Sequence, residues 1–293
     1  VFEHAIVKLL SHPLDEMRSI GSSLKAEALK ITPTLIKFAD ENKYMQLAAK
    51  KTQENAQEKF SETPAGTTSV EIVDFDPDAE NKLVAALVYK YSQMTFKQIL
   101  EKVKTLSAEE KTKIIEDALA DRASFDSTVR ELEHIYYTFD ILMDFGAFRD
   151  IQRHRMCTQT NQAMTVIHGY DTPEEIKEAG MEEKYKEVMD RAADLYNKIA
   201  LQYPEEAQYV VPLAFRKRVL YTWNLRELHH FISLRSGTKG HISYRRIAQA
   251  CWKKLDEIHP ALAKSIRVNM EEGTASWAST MFNPEFNYMP KKN

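Results

Sequence analysis

Cysteine is nearly absent from this chain. Two cysteines in 293 residues, Cys157 and Cys251, allow at most one disulfide and give no metal-cluster spacing. That usage reads as a reducing, cytoplasmic setting. Long apolar runs are missing as well. Nothing approaches the roughly 18 residues that a membrane-spanning helix needs, and no signal-peptide pattern is visible. Net charge is also small, with 40 Lys and Arg against 43 Asp and Glu for −3 overall. Any local excess of one sign is therefore a concentrated patch. What remains is ordinary for a soluble globular protein: 43% apolar and 28% charged residues, in a chain long enough for one large or two smaller domains.

One such excess runs from Pro212 to Lys254, with ten Lys or Arg and a single acid, Glu227. Within it, Asn224-Leu225-Arg226 leads through His229-His230 to Leu234-Arg235. About seventy residues upstream, Arg153-His154-Arg155 closes the run that starts at Phe148. Three cationic or protonatable side chains in a row make a poor core and a good anion site. A guanidinium is a planar fork of donors that suits phosphate, and the imidazole between can donate or stack. The plainer reading of the triplet is a solvated helix end. His229, His230 and His241 suggest zinc only superficially, because adjacent histidines on a helix point about 100° apart. Glu131, Glu133 and His134 suggest a di-iron set, but they fall in a strand-like alternation without a second Glu-x-x-His copy. Cys157 reads as a buried structural thiol or, in its electropositive neighbourhood, as a reactive one. The pairs Tyr136-Tyr137 and Tyr221 with Trp223 read as core.

The pattern along the chain predicts an α+β fold, with mixed helices packed on a small, mostly antiparallel sheet. Strands are expected at Ser69 to Phe75 and His134 to Met143. Helices are expected at Asp15 to Phe38, Asp78 to Ser92, Thr95 to Lys104, Ser107 to Ala120, Ala147 to Arg155, Glu182 to Tyr203 and Ser243 to Ile258. Ser107 and Glu110 form a capping box that starts one of them. Glu16 to Ala39 aligns without a gap on Ser243 to Ile266, pairing Arg18 with Arg245, Ile20 with Ile247, Pro33 with Pro260 and Leu35 with Leu262. Two amphipathic helices can match by chance, but the shared proline argues for an internal repeat. The expected organisation is a helical tail of a preceding repeat over 1–47, a polar linker over 48–68, and one domain over 69–293. The opening Val1-Phe2-Glu3-His4-Ala5-Ile6-Val7 reads as the inside of an element, and so as part of something longer.

Four stretches together resemble the flavin-dependent thymidylate synthase family. They are Val70 to Phe75 with the helix after it, Glu133-His134-Ile135 through Phe139, Gln152 to Arg155, and Val211 to Arg235. The spacing between them is that of the family, including nineteen positions from His134 to Arg153. The resemblance covers about residues 69 to 266. It implies transfer of a methylene from methylene-tetrahydrofolate to dUMP, reduced by hydride from FAD that NADPH recharges. It also implies that Arg153, His154, Arg155, Asn224, Arg226 and His230 bind FAD. Arg235 would be the catalytic residue, stabilising charge as the uracil N3 ionises. On one helix Asn224 and Arg235 fall about 20° apart, and Arg226 and His230 about 40° apart on a nearly opposite face. Ligands shared between subunits or repeats fit that split better than one ligand gripped by all four. The resemblance, to a family whose sites are built between subunits, implies a homo-oligomer, or a pseudo-tetramer with a preceding repeat.

Departures from the family fall on the nucleotide side. Family serine and arginine positions are Ala163 and Thr165, a nearby glutamate is Asn161, a glutamine is Asp150 and an arginine is Gln208. On the flavin side, threonine and serine contacts are Arg130 and Tyr89. Each lost charge-assisted contact costs about 1.5–3 kcal/mol. Two would weaken binding roughly 10²- to 10⁴-fold. Three classes stay open: a synthase with an eroded dUMP site, a non-catalytic or repurposed flavin-binding paralogue acting as an oligomer scaffold, and, ranked last, a nucleic-acid binder using 212–254.

Overall fold

The computed structural model describes residues 2–60, 69–123 and 126–271. The first helices are α1 (Phe2–Leu10), α2 (Asp15–Ile31) and α3 (Lys43–Lys59). Strand β1 (Val70–Phe75) precedes α4 (Ala79–Tyr89), α5 (Phe96–Lys104) and α6 (Ala108–Leu119). A 3-10 turn, Arg130–His134, leads into β2 (Tyr136–Asp144), α7 (Phe145–Ile151) and β3 (Cys157–Asn161). After α8 (Glu174–Glu178) and α9 (Glu182–Ala200) come β4 (Arg216–Asn224), α10 (Leu225–Arg235), α11 (Ile242–Ile258) and α12 (Pro260–Ala263). No helix among the described residues is long and apolar enough to cross a membrane.

The chain divides into two compact units, Val1–Gly66 with Lys186–Val211, and Thr67–Tyr185 with Pro212–Asn293. In the first, α1 packs on α2 over a small cluster of Ile6, Ala28, Ile36 and Ala39. Gly21 permits that approach, since a Cβ there would lie 2.8 Å from the Leu9 Cβ. The expected linker over 48–68 falls partly on α3, and its remainder, 61–68, lies outside the described residues, as does 272–293 of the expected domain.

The second unit is built on an antiparallel sheet in the order β1-β2-β4-β3. Its central pair runs in unbroken register from Tyr136 opposite Asn224 to Asp144 opposite Arg216. Period-two alternation puts Tyr137, Phe139, Ile141 and Met143 of β2, and Val219, Tyr221 and Trp223 of β4, on the buried face. Helices α4, α10 and α11 add Leu83, Leu228, Phe231, Ala248, Cys251 and Leu255 to that core, and α5, α6 and α7 add Ile99, Val103, Ile115, Leu119, Phe148 and Ile151. Trp223 lies stacked between Tyr221 (4.5 Å) and Phe231 (4.7 Å). The α+β class and antiparallel sheet are as expected. Glu131 to His134 instead form a tight turn, not a strand, and β3 and β4 were not anticipated.

His229, on the inner face of α10, is buried, with Ser265 Oγ 3.4 Å from its Nε2. Desolvation, helped by the Arg122 charge, pushes its pKa from the ordinary 6.5 down to about 3. The folded chain thus keeps this ring neutral where the unfolded chain takes up a proton. His229 therefore adds full stability above pH 6.5, which is lost as pH falls toward 3, by roughly 1.4 kcal/mol per pH unit. Urea midpoints of wild type and His229→Leu should show the difference between them shift in the variant's favour between pH 7 and pH 4.5. A difference independent of pH would contradict this.

Candidate functional site

The site starts with the way α10 begins. Asn224 ends β4 in extended backbone and caps the helix, its Oδ1 accepting from Glu227 N at 2.8 Å. That cap places Glu227 in the first turn with its side chain directed into the fold, where the carboxylate is almost wholly buried. Opposite it, α7 ends at Ile151, and His154 N bonds to Ile151 O at 3.0 Å. This turn sends His154 inward while Arg153 and Arg155, on either side of it, remain exposed.

Three side chains then form a chain. His154 Nδ1 lies 2.8 Å from Glu227 Oε1, and Arg235 Nε donates to His154 Nε2 at 2.9 Å. A guanidinium N–H can only donate, so Nε2 is the accepting nitrogen and the ring proton sits on Nδ1, pointing at the carboxylate. The imidazole is further fixed edge-on against Phe231 (5.3 Å) and beside His230 (5.5 Å). Arg235 also donates from Nη2 to Asp150 O at 2.9 Å, has Nη1 3.8 Å from Asp150 Oδ1, and lies over the Tyr244 ring at 5.3 Å. Asp150 pairs with Arg153 as well.

A second cluster lies on another side of α10. Arg226 donates to Thr128 O (3.1 Å) and to Glu133 Oε1 (2.9 Å). Arg130 also grips Glu133 at 3.2 and 3.0 Å. The Arg130 hydrogen bond, reinforced by Arg226, holds the Glu133 carboxyl below the usual carboxylate range. Of the residues expected to bind FAD, the structure brings His154 and the exposed His230 together with Arg235. Asn224 caps the same helix, and Arg226 stands apart. The expected two-face split of α10 separates Arg226 from Arg235, but His230 reaches the Arg235 side, not the Arg226 side.

Glu227 and Asp150 are partners that sequence reasoning did not assign. Glu227 stood out as the lone acid in a basic run, which was the available signal. Asp150 stood out only as a departure from the family pattern. Cys157 donates to His154 O at 3.0 Å, and burial pushes its thiol upward, so it is a structural cysteine and not an activated nucleophile. Asn161 ends the edge strand β3 opposite Val219. Ala163 beyond it is exposed.

Comparison with known proteins gives a consistent picture. Residues 71–261 match the profile of the family described as thymidylate synthase complementing protein. The chain is 34% identical over 269 residues to a UPF0159 protein of Chlamydia pneumoniae, spanning 88% of this chain and 51% of that protein. A UPF0159 protein of Thermoplasma acidophilum is 30% identical over 272 residues, spanning 91% and 54% respectively. The flavin-dependent thymidylate synthase of Pyrococcus abyssi is 32% identical over 142 residues, 43% of this chain and 56% of that one. The chain thus spans about half the length of the curated relatives it matches. Among solved structures, the flavin-dependent thymidylate synthase of Helicobacter pylori, crystallised with FAD and dUMP, superimposes with a TM-score of 0.52 at 16% identity, over 69% of this chain and 100% of that one. At that identity the likeness concerns the fold.

Proposed function

Because the chain belongs to the thymidylate synthase complementing protein family, that of the flavin-dependent thymidylate synthases, we propose that it is a cytoplasmic, FAD-dependent thymidylate synthase-like protein acting on dUMP or a related nucleotide. The observation that carries this reading is the chain from Glu227 through His154 to Arg235. It aims a permanently charged, planar donor and holds it by a hydrogen bond to the buried imidazole. A guanidinium fixed in this way favours a nearby group that is becoming anionic, here the uracil ring as N3 ionises and C5 becomes nucleophilic.

The residues present suit a flavin dinucleotide. Arg153 and Arg155 are exposed guanidinia beside a buried His154, a donor set matched to a pyrophosphate. His230, exposed beside them, adds an imidazole edge. In this reading His154 positions Arg235, and Arg226 with Asn224 shapes the flanking surface. When bound, the flavin supplies the hydride that reduces the methylene taken from methylene-tetrahydrofolate, and NADPH restores it.

Asp150 favours a second reading, a flavin-binding paralogue repurposed or kept as an oligomer scaffold. Its carboxylate already answers Arg153 and Arg235, and would repel a phosphate brought to them. Ala163, Thr165, Asn161 and Gln208 remove further contacts on the nucleotide side. Incubation with FAD followed by desalting separates the readings. The expected result is a retained band near ~450 nm that shifts when dUMP is added. A retained band that dUMP leaves unmoved would favour the repurposed paralogue. Loss of all flavin would overturn both flavin readings.

A further inference from the structure

The first helices of the chain share a series of local features with the helices that close the second unit. Helices α2 and α11 are both 17 residues long and start and end 227 positions apart. Their C-caps share one conformation, φ −134° and ψ 57° at Thr32, φ −135° and ψ 73° at His259. Three backbone bonds of the turns that follow also correspond. Thr32 N to Ala28 O (2.8 Å) matches His259 N to Leu255 O (2.8 Å). Leu35 N to Thr32 O (3.1 Å) matches Leu262 N to His259 O (3.0 Å), and Ala39 N to Ile36 O (3.1 Å) matches Ile266 N to Ala263 O (2.9 Å).

Two amphipathic helices with a proline after them could share this much by chance. They would not share the next bond, which ties distant parts of the chain. Asn42 N donates to Ser11 Oγ at 2.8 Å, and Asn269 N donates to Ser236 Oγ at 2.9 Å. Both serines follow the helix that packs on the long one, α1 in the first copy and α10 in the second. The four buried residues of the first cluster, Ile6, Ala28, Ile36 and Ala39, correspond to buried Phe231, Leu255, Ala263 and Ile266.

The copies differ in what covers them. In the second unit the far side of α11 and the turn after it are buried in the core over the sheet, with Ile247 7% and Leu262 0% exposed. Their counterparts Ile20 and Leu35 are 47% and 70% exposed, and no described strand belongs to the first unit. Among the described residues of the first unit, no strand covers this apolar face.

We infer that residues 2–47 are the closing helices of an upstream copy of the same domain, and that their face around Ile20 and Leu35 is covered by the sheet of that copy, encoded ahead of Val1. The curated relatives have the length for it, since the chain spans only about half of each. The upstream copy is not a duplicate in chemistry. Counting from the matched serines, Leu10 occupies the place of Arg235, so that copy has no guanidinium there. The inference rests on the repeat and on burial, not on the chemistry proposed above, and would survive a failure to bind flavin.

Thiol labelling tests it. Leu35→Cys and, as control, Lys30→Cys are made both in the 293-residue chain and in the polypeptide extended through its natural upstream coding sequence. Labelling of the parent, with Cys157 and Cys251, is subtracted. Lys30 and its counterpart Glu257 are both exposed, so Lys30→Cys should react at one rate in both forms. Leu35→Cys should react as fast as the control in the short form and at least about tenfold slower in the extended one. Equal rates for Leu35→Cys in the two forms, or an upstream reading frame too short to hold a sheet, would overturn the inference. Hydrogen exchange of residues 15–38 in the unmutated proteins gives the second readout. Slower exchange in the extended form is expected, and unchanged exchange counts against it.

Discussion

Under the proposed function, replacing Arg235 by lysine is expected to lower dUMP-dependent turnover by about 10²- to 10³-fold while leaving flavin binding in place. The reason is geometric. Arg235 reaches His154 Nε2 through one nitrogen and Asp150 O through another, at 2.9 Å each, and this fixes the plane of the guanidinium. A lysine has one nitrogen on a flexible stem, so it cannot keep both bonds and also face a ligand. His154 would lose its donor, and the positive charge would no longer have a fixed place. Paired measurements of NADPH consumption with dUMP and of the flavin band separate this from a loss of cofactor. If the lysine protein turns over within threefold of wild type, Arg235 is not the charge-stabilising residue.

The largest expected loss of stability comes from Trp223→Ala, about 3–5 kcal/mol. Trp223 is fully buried and held from both sides by stacked rings, with Phe139 tilted against it at 5.5 Å. It comes from β4, while Phe231 comes from α10, so the indole joins the central strand to the helix that carries the site. Truncation would leave a cavity lined by flat rings that cannot close on it. Urea unfolding should show a lower midpoint with little change in slope, and Trp223→Phe should recover most of the loss. A loss under about 1 kcal/mol for alanine would mean that the rings repack.

Much of this fold could be read from residue order. Helices with a strong apolar period and a capping signal, such as α6 behind Ser107 and α11 before Pro260, emerged within a residue or two of their ends. Strand β2 showed through its alternating aromatics. Strand β4 did not, for a physical reason. Its inward residues begin with Lys217, whose ammonium is buried over the Phe148 ring at 4.9 Å, inside the run Arg216-Lys217-Arg218 that reads as surface. Strand β3 is a polar edge, Cys157 to Asn161, with no buried row to reveal its period. The site divided along similar lines. The Arg-His-Arg triplet stood out as a motif; that its middle member turns inward did not. The inward turn depends on Glu227, which lies 73 residues away in sequence. Pairings of that kind belong to the tertiary structure and leave no local period.

The position of His154 has one more consequence. Glu227 stands in the first turn of α10 and Arg235 in its last, and a single ring from another part of the unit is bonded to both. The imidazole acts as a crossbar fastened to the two ends of one strut. The helix cannot slide along its axis or unwind from either end without breaking a bond to it. Arg153 and Arg155 flank that same ring along the backbone, so the two exposed arginines and the Arg235 guanidinium are placed through one residue.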